Sequence, residues 1–244
     1  MISSKPHLLT PSIPPVIAQA DTIAVAIPSY LDEVYWWAYV HPNAVRVFER
    51  QWLVNLILWG NFNRLRDAAL DALGKTIPGR TLQIACVYGD LTMRLAERVT
   101  GMLDVVDVLP VQLHNLRVKL PVNTPVALLH RNATALGMSD HNYDQALLFF
   151  LLHEQPESVR RATLAEAIRV VKPGGRIVIV DYHGPHALSP FSWLFGPVLR
   201  RLEPFAMDLW RDEISNWLPA DFTPASIDKR TYFGGLYQKV VVTV

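Results

Sequence analysis

Cysteine, excess charge and long apolar runs are all scarce in this sequence of 244 residues. Cys86 is the single cysteine, so the chain forms no internal disulfide, and a reducing compartment is expected. Basic and acidic residues number 23 and 22, without a basic stripe, which argues against a nucleic-acid partner. No run approaches the roughly 18 apolar residues that span a bilayer, and residues 1–26 do not read as a secretory signal. We therefore expect a protein that is soluble or lies on a membrane.

Apolar residues, by contrast, are plentiful. Half of the chain is hydrophobic and only 18% is charged, which predicts one large core and an unusually apolar surface. Residues 1–29, rich in proline, serine and alanine, predict a loosely held arm before a single domain over residues 30–244. Hydrophobic periodicity predicts a helix over 43–59 and a short one over 64–73, so that residues 30–75 form a helical cap.

From residue 81 the pattern alternates between strands and helices, which predicts an α/β fold with a mostly parallel sheet covered on both faces. A turn is expected over 172–175. Residues 190–218 interrupt the alternation and predict two amphipathic helices. The expected strands cover 81–87, 103–108, 126–130, 143–149, 176–181, 226–232 and 236–242, the last two joined as a hairpin, and the expected helices cover 90–99, 110–120 and 156–171.

Polar side chains follow several of these strands, where parallel sheets bind their ligands. Asp107 ends the second strand, a place from which a carboxylate accepts hydrogen bonds from ribose hydroxyls. Asn132 follows the third strand, where an amide can meet an adenine edge. His153 and Glu154 follow the fourth.

The order of these features resembles class I S-adenosylmethionine (SAM)-dependent methyltransferases over residues 81–181. The resemblance implies a Rossmann-like, seven-stranded sheet whose last strand is antiparallel. One departure is clear: Gln83 replaces the usual acid of the first motif, and Ala85 and Val87 replace its first two glycines, so that only Gly89 remains. Because glycine lets the backbone approach a ligand closely, the methionyl end of SAM is expected to sit differently.

A closer resemblance is to the RquA family of rhodoquinone biosynthesis proteins. It rests on residues 34–46 and 51–61, on the loop Val87-Tyr88-Gly89-Asp90, and on matching stretches at 104–108, 151–156 and 234–239. It implies a transferase that converts ubiquinone to rhodoquinone, exchanging a ring methoxy group for an amino group. SAM would be the amino donor, manganese would assist, and the setting would be anaerobic respiration on the inner face of a bacterial cytoplasmic membrane.

Candidate site residues follow from these observations and from the resemblance. The catalytic candidates are Tyr88, Asp90, His153, Glu154 and Tyr182. The candidate metal ligands are Asp90, His153, Glu154 and His183. The candidate SAM-binding residues are Tyr39, Ala85, Val87, Tyr88, Gly89, Asp107, Val108, Asn132, Ala133, Thr134 and Phe149.

Each assignment has a plainer alternative. Asp90 is also placed to cap the following helix, and His153 to serve as a structural hydrogen-bonding group. Cys86 reads as a core residue, and the aromatic cluster at 35–39 as core or as a lid. Residues 190–218 suit either a membrane surface or a cover over the site. An ordinary methyltransferase for an apolar small molecule and a non-catalytic scaffold remain alternative functions.

Overall fold

The computed structural model describes residues 25–34, 50–186, 201 and 203–244. Several expectations therefore lie outside the described residues. They are most of the arm at 1–29, the first part of the helix expected over 43–59, the aromatic cluster with Tyr39, and residues 190–200 of the expected amphipathic segment.

The described residues form a seven-stranded sheet in the order β3-β2-β1-β4-β5-β7-β6. The first five strands pair in parallel, and β7 pairs antiparallel with both β5 and β6. The α/β prediction is confirmed, including the antiparallel end of the sheet. The strands are β1 (Arg80–Ile84), β2 (Met102–Asp107), β3 (Val126–His130), β4 (Tyr143–Phe149), β5 (Val171–Tyr182), β6 (Ser226–Tyr232) and β7 (Tyr237–Thr243).

The strand order reverses between β1 and β4, and this reversal positions the site. The chain runs outward through β2 and β3 and then returns to β4 on the other side of β1. The loops after β1 and β4 therefore diverge, leaving a crevice at the carboxyl ends of these strands. Leu82, Ile84 and Leu147 are fully buried in the central strands, as expected for a parallel sheet that is covered on both faces.

Helices connect and cover these strands. α3 (Phe62–Leu73) presents one apolar face, with Phe62, Leu65 and Leu70 buried, and its packing holds the chain ahead of β1. α5 (Pro110–Lys119) begins with a proline at its first turn, where the missing N–H costs nothing. The described helices are α1 (Ser29–Val34), α2 (Gln51–Ile57), α3 (Phe62–Leu73), α4 (Leu91–Arg98), α5 (Pro110–Lys119), α6 (Glu157–Val170) and α7 (Asp208–Arg211).

Two strand boundaries differ from the sequence prediction. The first strand ends at Ile84 rather than at residue 87 because Ala85 takes a positive φ of 74°, which no extended strand continues. The turn expected over 172–175 lies within β5, since Gly174 donates its N–H to Val244 O. A register shift between Tyr143 and Gln145 of β4 accommodates this part of β5.

The prediction of a second amphipathic helix before residue 218 is wrong. The chain there forms two short 3₁₀ turns, Pro204–Met207 and Ile214–Trp217, on either side of the four-residue α7. Ile214 and Trp217 are buried, and the guanidinium of Arg160 lies 4.2 Å from the Trp217 ring centroid. This half of the segment thus packs onto the body of the protein. Across the described ranges, no helix has the length and apolarity needed to cross a membrane.

Candidate active site

A cavity of about 420 Å³ opens at the carboxyl ends of β1, β2 and β4, at the point where the strand order reverses. Loops from both halves of the sheet and residues of α1 and α2 line it. The residues that line it include Tyr30, Trp59, Ala85, Val87, Tyr88, Asp107, Val108, Arg131, Asn132, Ala133, Phe149, Phe150, His153, Glu154, Gln155, Tyr182, Glu203 and Tyr237.

The loop after β1 keeps a glycine-like shape without its usual glycines. Ala85 has a φ of 74° and Gly89 a φ of 85°, both in the left-handed region that favours glycine. The buried Gln83 holds this loop, since its amide donates to Ala85 O at 3.0 Å and accepts from the Thr92 hydroxyl at 3.0 Å. Tyr88 accepts a hydrogen bond from Gln112 at 2.8 Å. Val87 and Tyr88 therefore supply fixed bulk to the cavity wall, whereas Gly89 lies just outside it.

Asp107 lies at the end of β2, as predicted, and faces the cavity. Its two carboxylate oxygens accept hydrogen bonds from the backbone N–H groups of Cys86, at 2.7 Å, and Leu109, at 2.8 Å. Burial raises the pKa of Asp107 to about 6, although these hydrogen bonds act in the opposite direction. Cys86 is half-buried beside it and lines the cavity, so it is less interior than the sequence suggested.

The turn after β3 brings Asn132 and Ala133, but not Thr134, to the cavity. The Asn132 side-chain oxygen accepts from the backbone N–H of Thr134 at 3.0 Å and from its hydroxyl at 2.9 Å. Thr134 thus fixes Asn132 rather than lining the cavity itself, and the amide nitrogen of Asn132 is the group that can meet a ligand.

Asp90 does not have the position expected of a base or metal ligand. Its carboxylate lies outside the cavity lining and accepts two hydrogen bonds from Arg66, at 2.7 and 2.9 Å, and one from Arg94. Burial acts in the other direction, but these two guanidinium groups lower the pKa of Asp90 below its ordinary value. Its side chain also makes no capping hydrogen bond to α4. Asp90 therefore ties the loop to α3 and α4.

His153 and Glu154 form a 3₁₀ turn after β4 and line the cavity together. His153 Nδ1 lies 2.9 Å from Asp181 Oδ1, and its Nε2 lies 3.8 Å from Glu154 Oε1 and 3.9 Å from Glu203 Oε2. Burial disfavours the imidazolium, but the charges of Asp181, Glu203 and Glu154 outweigh it and raise the pKa of His153 to about 9. Three carboxylates near His153 thus favour its protonated form.

Backbone contacts hold this turn in place. The fully buried Asp181 accepts from the N–H groups of Leu152, at 2.8 Å, and His153, at 3.3 Å. Arg160 donates from α6 to Leu152 O and Gln155 O, at 3.0 and 2.9 Å, and also to Phe205 O at 3.2 Å. Arg160 therefore links the turn to the segment that brings Glu203 to the cavity.

An aromatic wall closes the cavity beyond His153. Phe150 has a φ of 53°, an unfavourable conformation for a bulky residue. This conformation places its ring against those of Tyr182, at 5.4 Å, and Tyr237, at 5.8 Å between centroids. Burial raises the pKa of Tyr182 well above its ordinary value, so its phenol stays neutral. The wall presents flat, apolar faces with hydroxyl groups.

The four expected metal ligands do not form one group, since only His153 and Glu154 lie in the cavity. His183 lies outside the cavity lining, with Nδ1 2.8 Å from Gly235 O and Nε2 2.9 Å from the Lys229 ammonium, and Asp90 is engaged by arginines. Nowhere in the described part of the chain do three or more His, Cys, Asp or Glu residues form a group able to hold a metal ion. Manganese therefore does not fit the described residues.

The sequence of this chain is similar to those of known methyltransferases. Residues 81–175 match the methyltransferase domain family. A demethylmenaquinone methyltransferase of Beutenbergia cavernae is 30% identical over 184 residues, which cover 70% of this chain and 73% of that enzyme. The chain belongs to the class I SAM-dependent methyltransferase family. The demethylmenaquinone methyltransferase of Renibacterium salmoninarum is also 30% identical, over 62% of this chain, but the match spans only 60% of that enzyme.

Solved structures show the same fold at low sequence identity. The N-methyltransferase NodS of Bradyrhizobium japonicum superposes with a TM-score of 0.55 at 14% identity, covering 75% of this chain and 97% of NodS. Phosphoethanolamine N-methyltransferase 2 of Haemonchus contortus, in complex with SAM, gives a TM-score of 0.57 at 13% identity, covering 88% of this chain and 59% of that enzyme.

Sequence reasoning missed several residues of the site. Asp181, which contacts His153 from outside the cavity lining, carried a signal, since an acid at the end of the apolar run of β5 is out of place unless it is paired. No signal in the sequence distinguishes Tyr30, Glu203 and Tyr237 from ordinary surface or core residues. They reach the cavity only because α1, the segment after residue 200 and β7 fold against it.

Proposed function

We propose that this chain modifies the ring of a lipid quinone with SAM, and that it converts ubiquinone to rhodoquinone by replacing a ring methoxy group with an amino group from SAM. The observation that carries this proposal is the loop after β1. Val87 and Tyr88 stand in the cavity wall where alternating glycines would leave room for the methionyl group of SAM. A displaced methionyl group is what amino transfer needs, because its α-amine rather than its methyl must face the quinone.

The adenosine part of SAM suits the β2–β3 side of the cavity. In this proposal the Asp107 carboxylate accepts hydrogen bonds from the ribose hydroxyls and the Asn132 amide donates to the adenine edge; the contacts that fix these two side chains support it. The quinone then falls to the opposite side, against Phe150 and Tyr182, whose rings offer flat faces for stacking. Relatives named for quinone chemistry, among them a ubiquinone/menaquinone C-methyltransferase of Pseudomonas savastanoi at 28% identity, support a quinone substrate.

The carboxylates near His153 support the chemistry. When the amine adds to a ring carbon, a C–N bond forms and a quinone oxygen gains negative charge. In this proposal protonated His153 stabilises that oxygen, and Glu154 takes the proton that the amine loses. When the ring carbonyl forms again, the C–O bond to the methoxy group breaks and the group leaves as methanol after protonation. The nitrogen then still carries the Cα of SAM. Loss of the Cα proton gives a C=N bond while the ring takes up the electron pair and becomes a quinol, and water hydrolyses the C=N bond to the aminoquinol, the reduced form of rhodoquinone, and the 2-oxo acid derived from SAM. No step is assigned to manganese, because the described residues offer it no ligand group.

Apolar residues near the cavity support access from a membrane. Val54 and Leu58 line the cavity, whereas Trp52 and Leu56 on the same segment are both 62% exposed. Such residues suit the interfacial region of a bilayer, where a quinone with an isoprenoid tail resides. We therefore propose that the protein contacts the membrane through α2, on the inner face of a bacterial cytoplasmic membrane.

The decisive experiment is an incubation with ubiquinone and SAM that carries ¹⁵N at its α-amino group, with and without manganese. Heavy nitrogen in an aminoquinone product supports amino transfer, and dependence on manganese would reveal ligands beyond the described residues. A product gaining a methyl group, with release of S-adenosylhomocysteine, would replace the proposal with quinone methyl transfer. Binding of SAM without any product would leave a scaffold.

A further inference from the structure

Tyr237 carries a polar atom that the fold itself does not use. The residue is fully buried at the start of β7 and lines the cavity. Its hydroxyl has no hydrogen-bond partner within the described residues. Because native proteins pair nearly all buried hydroxyls, an unpaired one beside a cavity indicates a partner supplied by a ligand.

The position of Tyr237 indicates which ligand this is. The strand order places β7 beyond β5, on the opposite side of β1 from β2 and β3, which carry the residues suited to adenosine. The Tyr237 ring lies 5.6 Å from that of Tyr182 and 6.2 Å from that of Phe233, between centroids. A ligand atom that reaches this hydroxyl therefore belongs to a group that packs on the aromatic wall.

We propose that Tyr237 is a specificity-determining residue whose hydroxyl donates a hydrogen bond to a carbonyl oxygen of the bound quinone ring. This inference rests on the proposed quinone substrate, but it does not depend on which group is transferred. The quinone ring is flat and carries only acceptors at its oxygens, so it complements both the aromatic faces and the unpaired donor. Phe150, whose ring packs against that of Tyr237, has a strained backbone. Strained residues of this kind cluster at ligand-binding sites, which supports a ligand at this wall.

Tyr143 provides a matched comparison within the same chain. It is also fully buried, but its hydroxyl donates to Asp104 Oδ2 at 2.7 Å and it does not line the cavity. Substitution by phenylalanine at either position removes the same atom from the same kind of residue. Only Tyr143 loses a hydrogen bond that the folded protein makes by itself.

The test measures binding of a short-tail ubiquinone analogue directly, by quenching of tryptophan fluorescence, alongside thermal unfolding. Tyr237→Phe should weaken quinone binding roughly three- to tenfold, as expected for one neutral hydrogen bond, and leave SAM affinity and the melting temperature unchanged. Tyr143→Phe should lower the melting temperature and leave quinone affinity unchanged. The corresponding benzene analogue, in which C–H replaces each ring carbonyl, should bind to Tyr237→Phe and to the wild type equally well.

Unchanged quinone affinity in Tyr237→Phe, or a wild type that binds no quinone, would overturn the inference. So would a loss of stability equal to that of Tyr143→Phe, which would mean that the hydroxyl has a structural partner. Because binding is measured without turnover, the inference stands if Tyr237→Phe weakens binding while the labelled-nitrogen experiment yields no aminoquinone, and in that case only the proposed reaction fails.

Discussion

The two ends of the cavity are built in different ways. At the β2–β3 end, Asp107 and Asn132 are held by hydrogen bonds to residues close to them in sequence or on the neighbouring loop. At the other end, His153 is surrounded by Asp181 of β5 and Glu203 from a later segment, and the wall includes Tyr237 of β7. The first end is thus built from local contacts, whereas the second depends on packing between elements that are distant in the sequence.

The largest expected effect lies at the assembled end. Replacing His153 with Gln should lower kcat on quinone by roughly 100-fold or more, as for loss of a group that stabilises the developing negative charge on oxygen, while SAM affinity changes little. Steady-state kinetics and SAM titration measure the two effects. If SAM affinity fell as much as kcat, His153 would also contribute to SAM binding, and the division of the cavity into a SAM end and a quinone end would be wrong.

Asp181→Asn tests the same end through its pH profile. His153 has a pKa raised to about 9, so the imidazolium is present below that pH, and both activity and its contribution to stability are lost as pH rises through about 9. Removing the Asp181 charge should move this alkaline loss of activity to lower pH. An unchanged profile would show that Asp181 does not act on His153.

Asp90 tests the junction between the loop and the body of the protein. Asp90→Asn should lower the free energy of unfolding by about 2 kcal/mol, since it removes one of the two carboxylates that pair with the buried guanidinium of Arg66, the other being that of Asp67. Chemical denaturation measures this change. Because the pKa of Asp90 is lowered, its stabilisation is present at neutral pH and is lost as pH falls through that lowered value.

The matched control for Asp90 is Asp71→Asn, which removes an exposed ion pair with Arg98 and should cost little. Amino transfer per folded molecule should survive in Asp90→Asn. Its loss in a folded variant would restore the role of base or metal ligand that the sequence suggested.

The sheet and the local end of the cavity were predictable because their signals are local. Hydrophobic runs located β3 and β4 at the residues observed, and Asp107 stands at a strand end where the fold uses acids. The assembled end was only half predictable. His153 and Glu154 stood out beside β4, but Glu203 and Tyr237 look like ordinary surface and core residues until the chain is folded.

The errors have physical causes as well. Residues 201–218 show alternating apolar and charged residues, which predicts amphipathic helices, but the buried Arg160 instead attracts backbone carbonyls and the Trp217 ring and the segment folds as short turns. Asp90 seemed available for chemistry because neither Arg66 nor Arg94 could be recognised as its partner from the sequence.

A smaller effect is expected at the local end. Asp107→Asn should weaken SAM binding by roughly 30-fold, the loss of a charge-assisted hydrogen bond, with kcat at saturating SAM nearly unchanged. Because the pKa of Asp107 is raised to about 6, wild-type affinity should fall as pH drops through about 6, and the variant should lose this dependence. Isothermal titration calorimetry from about pH 5 to about pH 8, a range around that pKa, measures the SAM affinity and its pH dependence. An equal pH dependence in the two proteins would contradict the assignment of Asp107 as a SAM ligand.

The smallest expected effect concerns the loop between the two ends. Ala85 has a φ of 74°, where an alanine is strained by roughly 1 kcal/mol relative to glycine. Ala85→Gly should therefore leave stability unchanged or raise it by up to about 0.5 kcal/mol, because the added entropy of the unfolded chain offsets part of the relieved strain. Ala68→Gly, the same substitution within α3, should lower stability by roughly 1 kcal/mol. If both variants were destabilised, the strain would not reside at Ala85. If Ala85→Gly were stabilised but bound SAM less well, the strained backbone would be contributing to the unusual placement of the methionyl group.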